Sequence, residues 1–350
     1  MKYHCRYGIL NIKATAVSYH IKGDIMKLPT GFSSNYNKVI KRLDLAGIVP
    51  LLKINNVLDA LPLTGVLNGV GIDVVEVTFR TTAAKDVLKL ITSKCKSMLV
   101  GAGTIISVEQ VNEAVSAGAK YIVTPSFNPK VVDRCIELGV PVFPGCSNPS
   151  DIEQAYERGL RAVKFFPAEL LGGVDMLKAL SGPYPFMKFI PTGGINSDNL
   201  NKYLSFGQVL CCGGTYIVNE EMLKQKRYQE IATTARESIN KMLDIKLDHV
   251  AINTDPTTGT ELLKTFSKLS GGNYEPDKTT VNGIEVVKEN HNGNVGHIAF
   301  SSPNLERCVH YLTKRGFSVD PDTIVKDGGR IIKLHLAGDN AGFTIQLIRK

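Results

Sequence analysis

From residue 43 onward, short apolar runs alternate regularly with amphipathic segments. Eight runs rich in β-branched residues follow one another, and helix-like segments such as "SVEQVNEAVSAG" separate them, opening near Ser or Asn and mostly closing on Gly. Such capping residues mark helix ends. The pattern predicts a parallel (β/α)8 TIM barrel over residues 43–243. A doubly wound open sheet is less favoured, because no G-x-G-x-x-G opens a helix after the first run.

The positive charge of the chain is concentrated at its beginning. The formal net charge is +8, and residues 1–42 hold eight Lys or Arg against one acid. Nucleic-acid binding needs a basic face on a folded domain, so this distribution argues against a nucleic-acid partner. We expect residues 1–42 to be a basic extension that is disordered or loosely docked. No stretch approaches the roughly 18 apolar residues of a membrane span, so we expect a cytoplasmic protein without a membrane partner.

One lysine stands inside an apolar run. Lys164 lies in "RAVKFFPAE", where Val163 and Phe165 occupy one face of an expected strand and Lys164 the other. The apolar face packs under helices, so Lys164 points into the barrel, at the strand end where barrel active sites form. A lysine in a partly dry site presents a free amine that attacks a ketone and forms an imine. This position predicts a Schiff-base aldolase; the competing interpretation is a buried ion pair with Glu76.

The second expected strand carries polar side chains on one face. Glu76, Thr78 and Arg80 alternate with apolar residues, so they share the face that points inward. Residues 43–246 contain no histidine, which argues against zinc ligands and against a Ser–His or Cys–His nucleophile in the barrel. Proton transfer then falls to another group, and Glu76 is the candidate acid/base.

Glycine pairs close the last two expected strands. "IPTGG" ends the seventh run and "CGGT" ends the eighth. Glycines let backbone N–H groups approach an anion closely, and barrels often bind phosphate at this place. A single glycine pair is more often a turn, but two pairs on adjacent final strands predict a phosphate site.

Five motifs resemble a known family of enzymes. They follow in the order "GIDVVEVTFRT", "GAGT", "VKFFPAE", "PTGG" and "CGGTYIV". Over residues 43–240 the chain is similar to the bacterial 2-keto-3-deoxy-6-phosphogluconate (KDPG) aldolases, which also act on 4-hydroxy-2-oxoglutarate (KHG). The resemblance implies a homotrimeric class I aldolase, a lyase that needs no cofactor. Its keto-acid substrates would be KDPG, cleaved to pyruvate and glyceraldehyde 3-phosphate, and KHG, cleaved to pyruvate and glyoxylate.

The resemblance also implies roles for individual residues. Lys164 would form the imine, and Glu76 would act as acid/base, partly through a water. Arg80 and Thr104 would hold the pyruvate carboxylate, and Thr192 would line the same pocket. Phe166 would pack against the carbon skeleton, and Gly193, Gly194 and Thr215 would receive the phosphate. The family more often has Ser where Thr215 stands, so the extra methyl group would narrow the anion site and favour unphosphorylated substrates.

Two other functions are compatible with the barrel pattern. A phosphosugar isomerase or epimerase would also use phosphate loops, but it leaves Lys164 and Arg80 without a role. A non-catalytic protein that binds small acids would use the barrel as a scaffold, but the presence of Glu76, Lys164 and Arg80 together argues against it.

Residues 247–350 begin a second pattern. "LDHVAINT" and "GHIAFSS" are similar strand openings, each followed by a helical stretch, which indicates an internal duplication. The layout resembles the paired βαβββ modules of the glyoxalase and dioxygenase superfamily, with an abbreviated first copy, and we expect a smaller α+β domain. Such modules often bind a divalent metal through a His on each opening strand and a late Glu.

Two histidines occupy the metal-ligand positions of that resemblance. His249 and His297 stand on the opening strands, but Gln346 stands where the late Glu is expected, and Gln is a poor ligand beside a carboxylate. We therefore favour a non-catalytic module in which both histidines are ordinary strand residues, with a divalent metal as the alternative.

Overall fold

The computed structural model describes residues 28–271, 273–276, 279–287 and 295–350. Residues 32–243 form an α/β region, and residues 246–350 form a β-rich region, hereafter the C-terminal region. The expected α/β class of the first region is confirmed. In the described part of the chain, no helix has both the length and the apolar character needed to cross a bilayer.

Eight short parallel strands organise the α/β region. They are β1 (Ile48–Leu52), β2 (Val74–Thr78), β3 (Leu99–Gly103), β4 (Ile122–Val123), β5 (Val142–Phe143), β6 (Ala162–Phe165), β7 (Lys188–Pro191) and β8 (Cys212–Gly214). Six of them form one curled sheet in the order β5-β4-β3-β2-β1-β8, and β6 pairs with β7. Isolated bridges connect the pair to both edges of the curled sheet: Gly145↔Lys164 on the β5 side, and Phe189↔Val209 and Thr192↔Gly213 on the β8 side.

One helix precedes the first strand, and the others follow the strands along the chain. They are α1 (Phe32–Ala46), α2 (Ala60–Gly69), α3 (Ala84–Lys94), α4 (Val108–Ser116), α5 (Pro129–Glu137), α6 (Pro149–Glu157), α7 (Gly173–Ser181), α8 (Leu200–Leu204), α9 (Glu220–Lys224) and α10 (Tyr228–Leu243). The caps expected from the sequence are present on three of them. The side chains of Ser107, Asn128 and Asn148 accept backbone hydrogen bonds at the starts of α4, α5 and α6.

Helix α1 overturns part of one prediction. The prediction of a loosely docked extension over residues 1–42 is wrong for its last part, because Phe32 and Tyr36 of α1 are buried in the core. The Tyr36 hydroxyl donates to the carbonyl of Ala162 at 3.1 Å and accepts from the amide of the same residue at 3.0 Å. The helix thus holds the beginning of β6, the strand that carries Lys164. Residues 1–27 lie outside the described residues.

The C-terminal region is built on one seven-stranded sheet. Its elements are β9 (Lys246–Asn253), α11 (Pro256–Leu269), β10 (Thr280–Val281), β11 (Ile284–Val287), β12 (Gly296–Ser302), α12 (Leu305–Lys314), β13 (Val319–Asp327), β14 (Arg330–Asn340) and β15 (Phe343–Arg349). The strand order is β10-β11-β9-β12-β15-β14-β13. The central strands β9 and β12 are antiparallel, and each has a parallel outer neighbour, β11 or β15. The two similar sequence openings therefore occupy equivalent places in the sheet.

Helix α12 joins the two regions. The buried Arg307 donates to the Asp44 carbonyl at 2.8 Å and to the Leu210 carbonyl at 2.7 Å. The Tyr311 hydroxyl donates to the Ala46 carbonyl at 2.7 Å. These carbonyls precede β1 and β8, so the C-terminal region contacts the amino ends of the parallel strands. Their carboxyl ends, which carry the candidate site, are left to the loops of the α/β region.

Candidate active site

Lys164 lies where the strand alternation predicts it. Its neighbours on β6, Val163 and Phe165, are fully buried, and Lys164 itself is 4% exposed. The Nζ atom lies 5.1 Å from the centre of the Phe166 ring. An ammonium in such surroundings is costly unless it is neutralised or paired, so this position favours a reactive amine or a charge partner nearby.

Glu76 is the carboxylate next to this lysine. It is 5% exposed on β2, and burial raises its pKa above the usual value, although the charges of Lys164 and Arg80 act in the opposite direction. Its Oε1 atom is buried without a hydrogen-bond partner in the described residues. A raised pKa makes the carboxyl group easier to protonate, which suits a group that must both accept and donate a proton as a general acid/base.

The next strand makes room for this carboxylate. A Cβ atom placed on Gly103 would lie 1.8 Å from Oε1 of Glu76, so any side chain there would displace the carboxylate. The following residue, Thr104, has φ = 61°, which is rare for a β-branched residue and typical of functional sites. The "GAGT" motif thus leaves room for the carboxylate of β2 and ends in a Thr with a strained backbone.

Thr78 has a structural contact instead of a place in this site. Its hydroxyl donates to the Leu52 carbonyl on the neighbouring strand β1 at 3.1 Å. Arg80 follows the end of β2 and is exposed, but its charge reaches Glu76. Of the three polar residues predicted on this face, Glu76 and Arg80 therefore belong to the electrostatic environment of the site.

The glycine turn after β7 lies next to the end of β6. Gly193 and Gly194 both have positive φ values, 96° and 81°, and a Cβ on Gly193 would lie 3.2 Å from the Phe166 ring. Thr192 is buried, and its Oγ1 atom would lie 2.6 Å from a Cβ on Gly213 of β8. These contacts bring the two predicted glycine pairs to one place, beside the residue that packs under Lys164.

Sequence reasoning did not single out two residues at this turn. The Tyr203 hydroxyl on α8 donates to Oε1 of Glu169, and Glu169 follows β6. Glu169 was part of the quoted motif "VKFFPAE" but received no role, and Tyr203 stands in a helix with no local signal. Thr215, after β8, is exposed.

A second cluster lies in the C-terminal region. Nε2 of His249 and Nε2 of His297 are 3.0 Å apart, and Oε2 of Glu285 lies 3.4 Å from Nε2 of His249. Three potential ligand atoms thus lie within 4.8 Å of one another. Nδ1 of His249 contacts Oδ2 of Asp248 at 2.8 Å. Burial and the neighbouring His249 lower the pKa of His297 to about 4, so this ring is neutral at pH 7.

Glu285 provides the carboxylate that the sequence did not predict. It lies on β11 opposite Ala251 of β9, two residues along from His249. Gln346, at the position where a Glu was expected, contacts Nε2 of His335 at 2.9 Å instead. The site that the structure assembles is therefore a two-histidine, one-carboxylate cluster with a different acid.

The α/β region matches known aldolases along most of its length. The family model described as KDPG and KHG aldolase matches residues 39–234. The 2-dehydro-3-deoxy-phosphogluconate aldolase of Haemophilus influenzae is 42% identical over 203 residues, which are 58% of this chain and 96% of that protein. The KHG/KDPG aldolase of Escherichia coli is 35% identical over 192 residues, 55% of this chain and 90% of that protein.

Solved structures agree with these matches. KDPG aldolase of Legionella pneumophila, solved with pyruvate captured as a covalent carbinolamine intermediate, superposes with a TM-score of 0.55 and 37% identity over 56% of this chain and 96% of that one. The KDPG aldolase of Zymomonas mobilis with 3-phosphoglycerate superposes with a TM-score of 0.54 and 32% identity over 57% of this chain and 94% of that one. With a buried lysine and carboxylate at the strand ends and a family match over more than half of its length, the chain belongs to the KDPG and KHG aldolase family and is a class I aldolase.

Proposed function

We propose that this enzyme cleaves KDPG to pyruvate and glyceraldehyde 3-phosphate, KHG to pyruvate and glyoxylate, or both, through an imine on Lys164. The observation that carries the proposal is the burial of Lys164 at the end of β6, within electrostatic reach of Glu76, whose pKa is raised. The names of the relatives and of the solved structures support this choice of substrates. Family membership also disfavours a phosphosugar isomerase and a non-catalytic small-acid-binding protein.

The chemistry follows from an amine next to a proton carrier. The neutral amine of Lys164 attacks the C2 ketone, and loss of water gives a protonated imine. A base removes the proton of the C4 hydroxyl, the C3–C4 bond breaks, and its electron pair moves into the imine to give an enamine while the aldehyde leaves. Proton return to C3 and addition of water to the imine then release pyruvate and restore the amine. We assign the proton transfers to Glu76, partly through a water.

The remaining residues would bind the two ends of the substrate. Arg80 offers a guanidinium to the carboxylate end, and charge-assisted pairs of this kind are among the stronger hydrogen bonds. The full assignment is Arg80 and Thr104 at the carboxylate with Thr192 lining the same pocket, Phe166 against the carbon skeleton, and Gly193, Gly194 and Thr215 at the phosphate. The consecutive positive φ values after β7 support an anion site, because successive amides in such turns form a concave nest of donors.

The surrounding architecture is proposed on the same basis. The bridges that connect β6 and β7 to both edges of the curled sheet support a closed (β/α)8 barrel. The equivalent places of β9 and β12 in the C-terminal sheet support a paired βαβββ module with an abbreviated first copy. A cytoplasmic homotrimer is proposed from the family resemblance.

Trapping of the imine tests the proposal. Incubation with pyruvate and borohydride should add a reduced pyruvate to the peptide that contains Lys164, and Lys164→Ala should lose both the adduct and all cleavage. Lys53→Ala is a matched control, since Lys53 also follows a parallel strand but is paired with Glu220 at 2.8 Å. An unmodified Lys164 peptide in the wild-type enzyme would remove the mechanism.

A specific observation favours a second function, in the C-terminal region. We propose that His249, Glu285 and His297 bind a divalent transition metal. Two imidazoles and a carboxylate are a common donor set for zinc and iron. The 3.0 Å and 3.4 Å separations of these ligand atoms are close to the roughly 3.3 Å expected around a tetrahedral zinc with 2.0–2.1 Å bonds. Asp248 would fix the ring of His249 through Nδ1, as outer carboxylates do at metal sites.

Cobalt binding tests the metal proposal without any assay of activity. Titration with Co²⁺ should give a visible absorption band and one equivalent bound, and His297→Ala should lose both. His310→Ala is the control, since His310 lies on α12 and faces Asp73. Unchanged Co²⁺ binding by His297→Ala and His249→Ala would refute the site. Aldolase activity should survive chelation, because the proposed mechanism uses only the α/β region.

A further inference from the structure

A tyrosine–glutamate pair lies beside the proposed phosphate site and has no part in the imine chemistry. Tyr203 of α8 is fully buried, and its hydroxyl donates to Oε1 of Glu169. Burial and the nearby carboxylate raise the pKa of Tyr203, so the phenol remains protonated and donates this hydrogen bond. Glu169 is exposed and lies in the segment that connects β6 to α7. A buried hydroxyl that reaches out to a surface carboxylate fixes the position of that side chain.

The glutamate side chain lies directly against the glycine turn. A Cβ on Gly194 would lie 2.5 Å from Cγ and 2.7 Å from Cβ of Glu169. The amide of Glu169 also donates to the Gly193 carbonyl at 3.1 Å. On the other side, Nδ2 of Asn199 donates to the Gly194 carbonyl at 2.9 Å. Both glycines are therefore held by contacts from two neighbouring segments.

Such restraint matters because the turn is built from two successive glycines. Gly193 and Gly194 are both in the left-handed region, and glycine has more backbone freedom to lose than any other residue. Backbone amides that occupy several conformations bind an anion weakly, because their conformational entropy is lost on binding and this loss reduces the affinity. The stem of Glu169 limits this freedom only while the carboxylate is anchored.

We propose that the Tyr203–Glu169 pair is a positioning device that holds the Gly193–Gly194 turn in the conformation that receives the phosphate end of the substrate. The pair thereby sets the preference for phosphorylated over unphosphorylated keto acids. This inference rests on the proposed function, in which the same turn binds phosphate. The proposed mechanism gives neither residue a contact with the reacting carbons, so the pair acts on substrate affinity and leaves the imine chemistry unchanged.

Substrate selectivity provides the test. Tyr203→Phe removes one hydroxyl, and we expect KM for KDPG and the inhibition constant of inorganic phosphate to rise about tenfold. Tenfold corresponds to about 1.4 kcal/mol, which is the lower end for a hydrogen bond to a charged group. The kcat for KDPG should stay at its wild-type value, and so should kcat and KM for KHG.

Further variants separate this positioning role from a general loss of structure. Glu169→Ala should reproduce Tyr203→Phe, the double variant should add nothing to either, and Glu169→Gln, which keeps an acceptor oxygen, should restore most of the affinity. Tyr184→Phe is the matched control, since Tyr184 donates to Glu153 at 2.8 Å in a similar pair outside the site.

Three results would overturn the inference. The first is an equal loss with both substrates, which indicates a merely structural role. The second is an unchanged inhibition constant of inorganic phosphate in Tyr203→Phe and Glu169→Ala. The third is independent effects that add in the double variant. A wild-type enzyme that forms no adduct on Lys164 would instead refute the proposed function, so the two failures are distinguishable.

Discussion

Gly103 at the end of β3 gives the sharpest test of the active-site geometry. Its φ lies outside the left-handed region, so the backbone accepts alanine without strain. The obstacle is a side chain, because the added Cβ would lie 1.8 Å from Oε1 and 2.4 Å from Cδ of Glu76. Ordinary contacts are about 3.5 Å, so in Gly103→Ala the Oε1 atom at 1.8 Å must move by roughly 1.7 Å.

The size of the effect follows from that displacement. A misplacement of about 1 Å in a catalytic group costs about 100-fold in rate, so we expect kcat/KM to fall at least 100-fold, or about 2.7 kcal/mol in the barrier. The fold should persist, because the clash is with the end of one side chain. Release of pyruvate, coupled to lactate dehydrogenase, measures the rate, and circular dichroism checks the fold.

The control is another glycine-to-alanine change. Gly65 lies inside α2, and a Cβ there would meet nothing within 4 Å. Gly65→Ala should keep full activity and gain up to about 1 kcal/mol of stability from helix propensity. Activity of a folded Gly103→Ala within threefold of wild type would refute the reasoning, because Glu76 would then not need its present position.

Three other changes separate stability, specificity and chemistry. In Glu76→Gln the amide imitates the protonated acid. Because the folded-state pKa of Glu76 is raised, ionisation of the wild-type carboxyl group lowers the stability of the folded protein as the pH rises through that pKa. The variant should therefore be more stable than wild type at pH 8 and equally stable at pH 4, and its rate of cleavage should fall about 10²–10⁴-fold. A thermal melt at both pH values checks this, and lower stability of the variant at pH 8 would contradict it. Arg307→Met should lower the free energy of unfolding by about 3 kcal/mol, because it removes hydrogen bonds from a buried guanidinium to Asp44 and to the Leu210 carbonyl. Denaturant unfolding measures this loss, and activity at 25 °C should be unchanged. Thr215→Ser should raise kcat/KM for KDPG relative to KHG, and an unchanged ratio would show that the methyl group does not narrow the anion site.

The burial of two candidate site residues could be predicted from the sequence. Strand alternation alone placed Lys164 and Glu76 on inward faces, because a strand packed under helices leaves one apolar face. Gly103 and the glycine turn after β7 follow from the same strand ends. Alternation placed Arg80 on the same face, although the structure shows it exposed beyond the end of β2, and its carboxylate-binding role is implied by the family resemblance alone.

Long-range pairing explains what could not be read. Glu285 meets His249 because β11 pairs with β9 in one particular register, and a shift of one residue would turn the carboxylate to the other face. Helix α1 does show a helical spacing in Phe32, Tyr36 and Val39, but the surrounding Lys, Asn and Ser residues hid it. Contacts from Arg307 to Asp44 join residues 263 positions apart, and no sequence pattern specifies them.

The two ends of the parallel strands in the α/β region have different roles. Arg307 and Tyr311 donate hydrogen bonds to carbonyl groups just before β8 and β1. In barrel folds the residues at the amino ends of the strands contribute to stability and not to catalysis. Lys164, Glu76 and the glycine turn occupy the opposite ends. An added region docked on the amino ends can therefore stabilise the strands without covering the site, and changes in α12 should shift the melting temperature but not kcat, whereas changes at Glu76 should lower kcat without loss of stability.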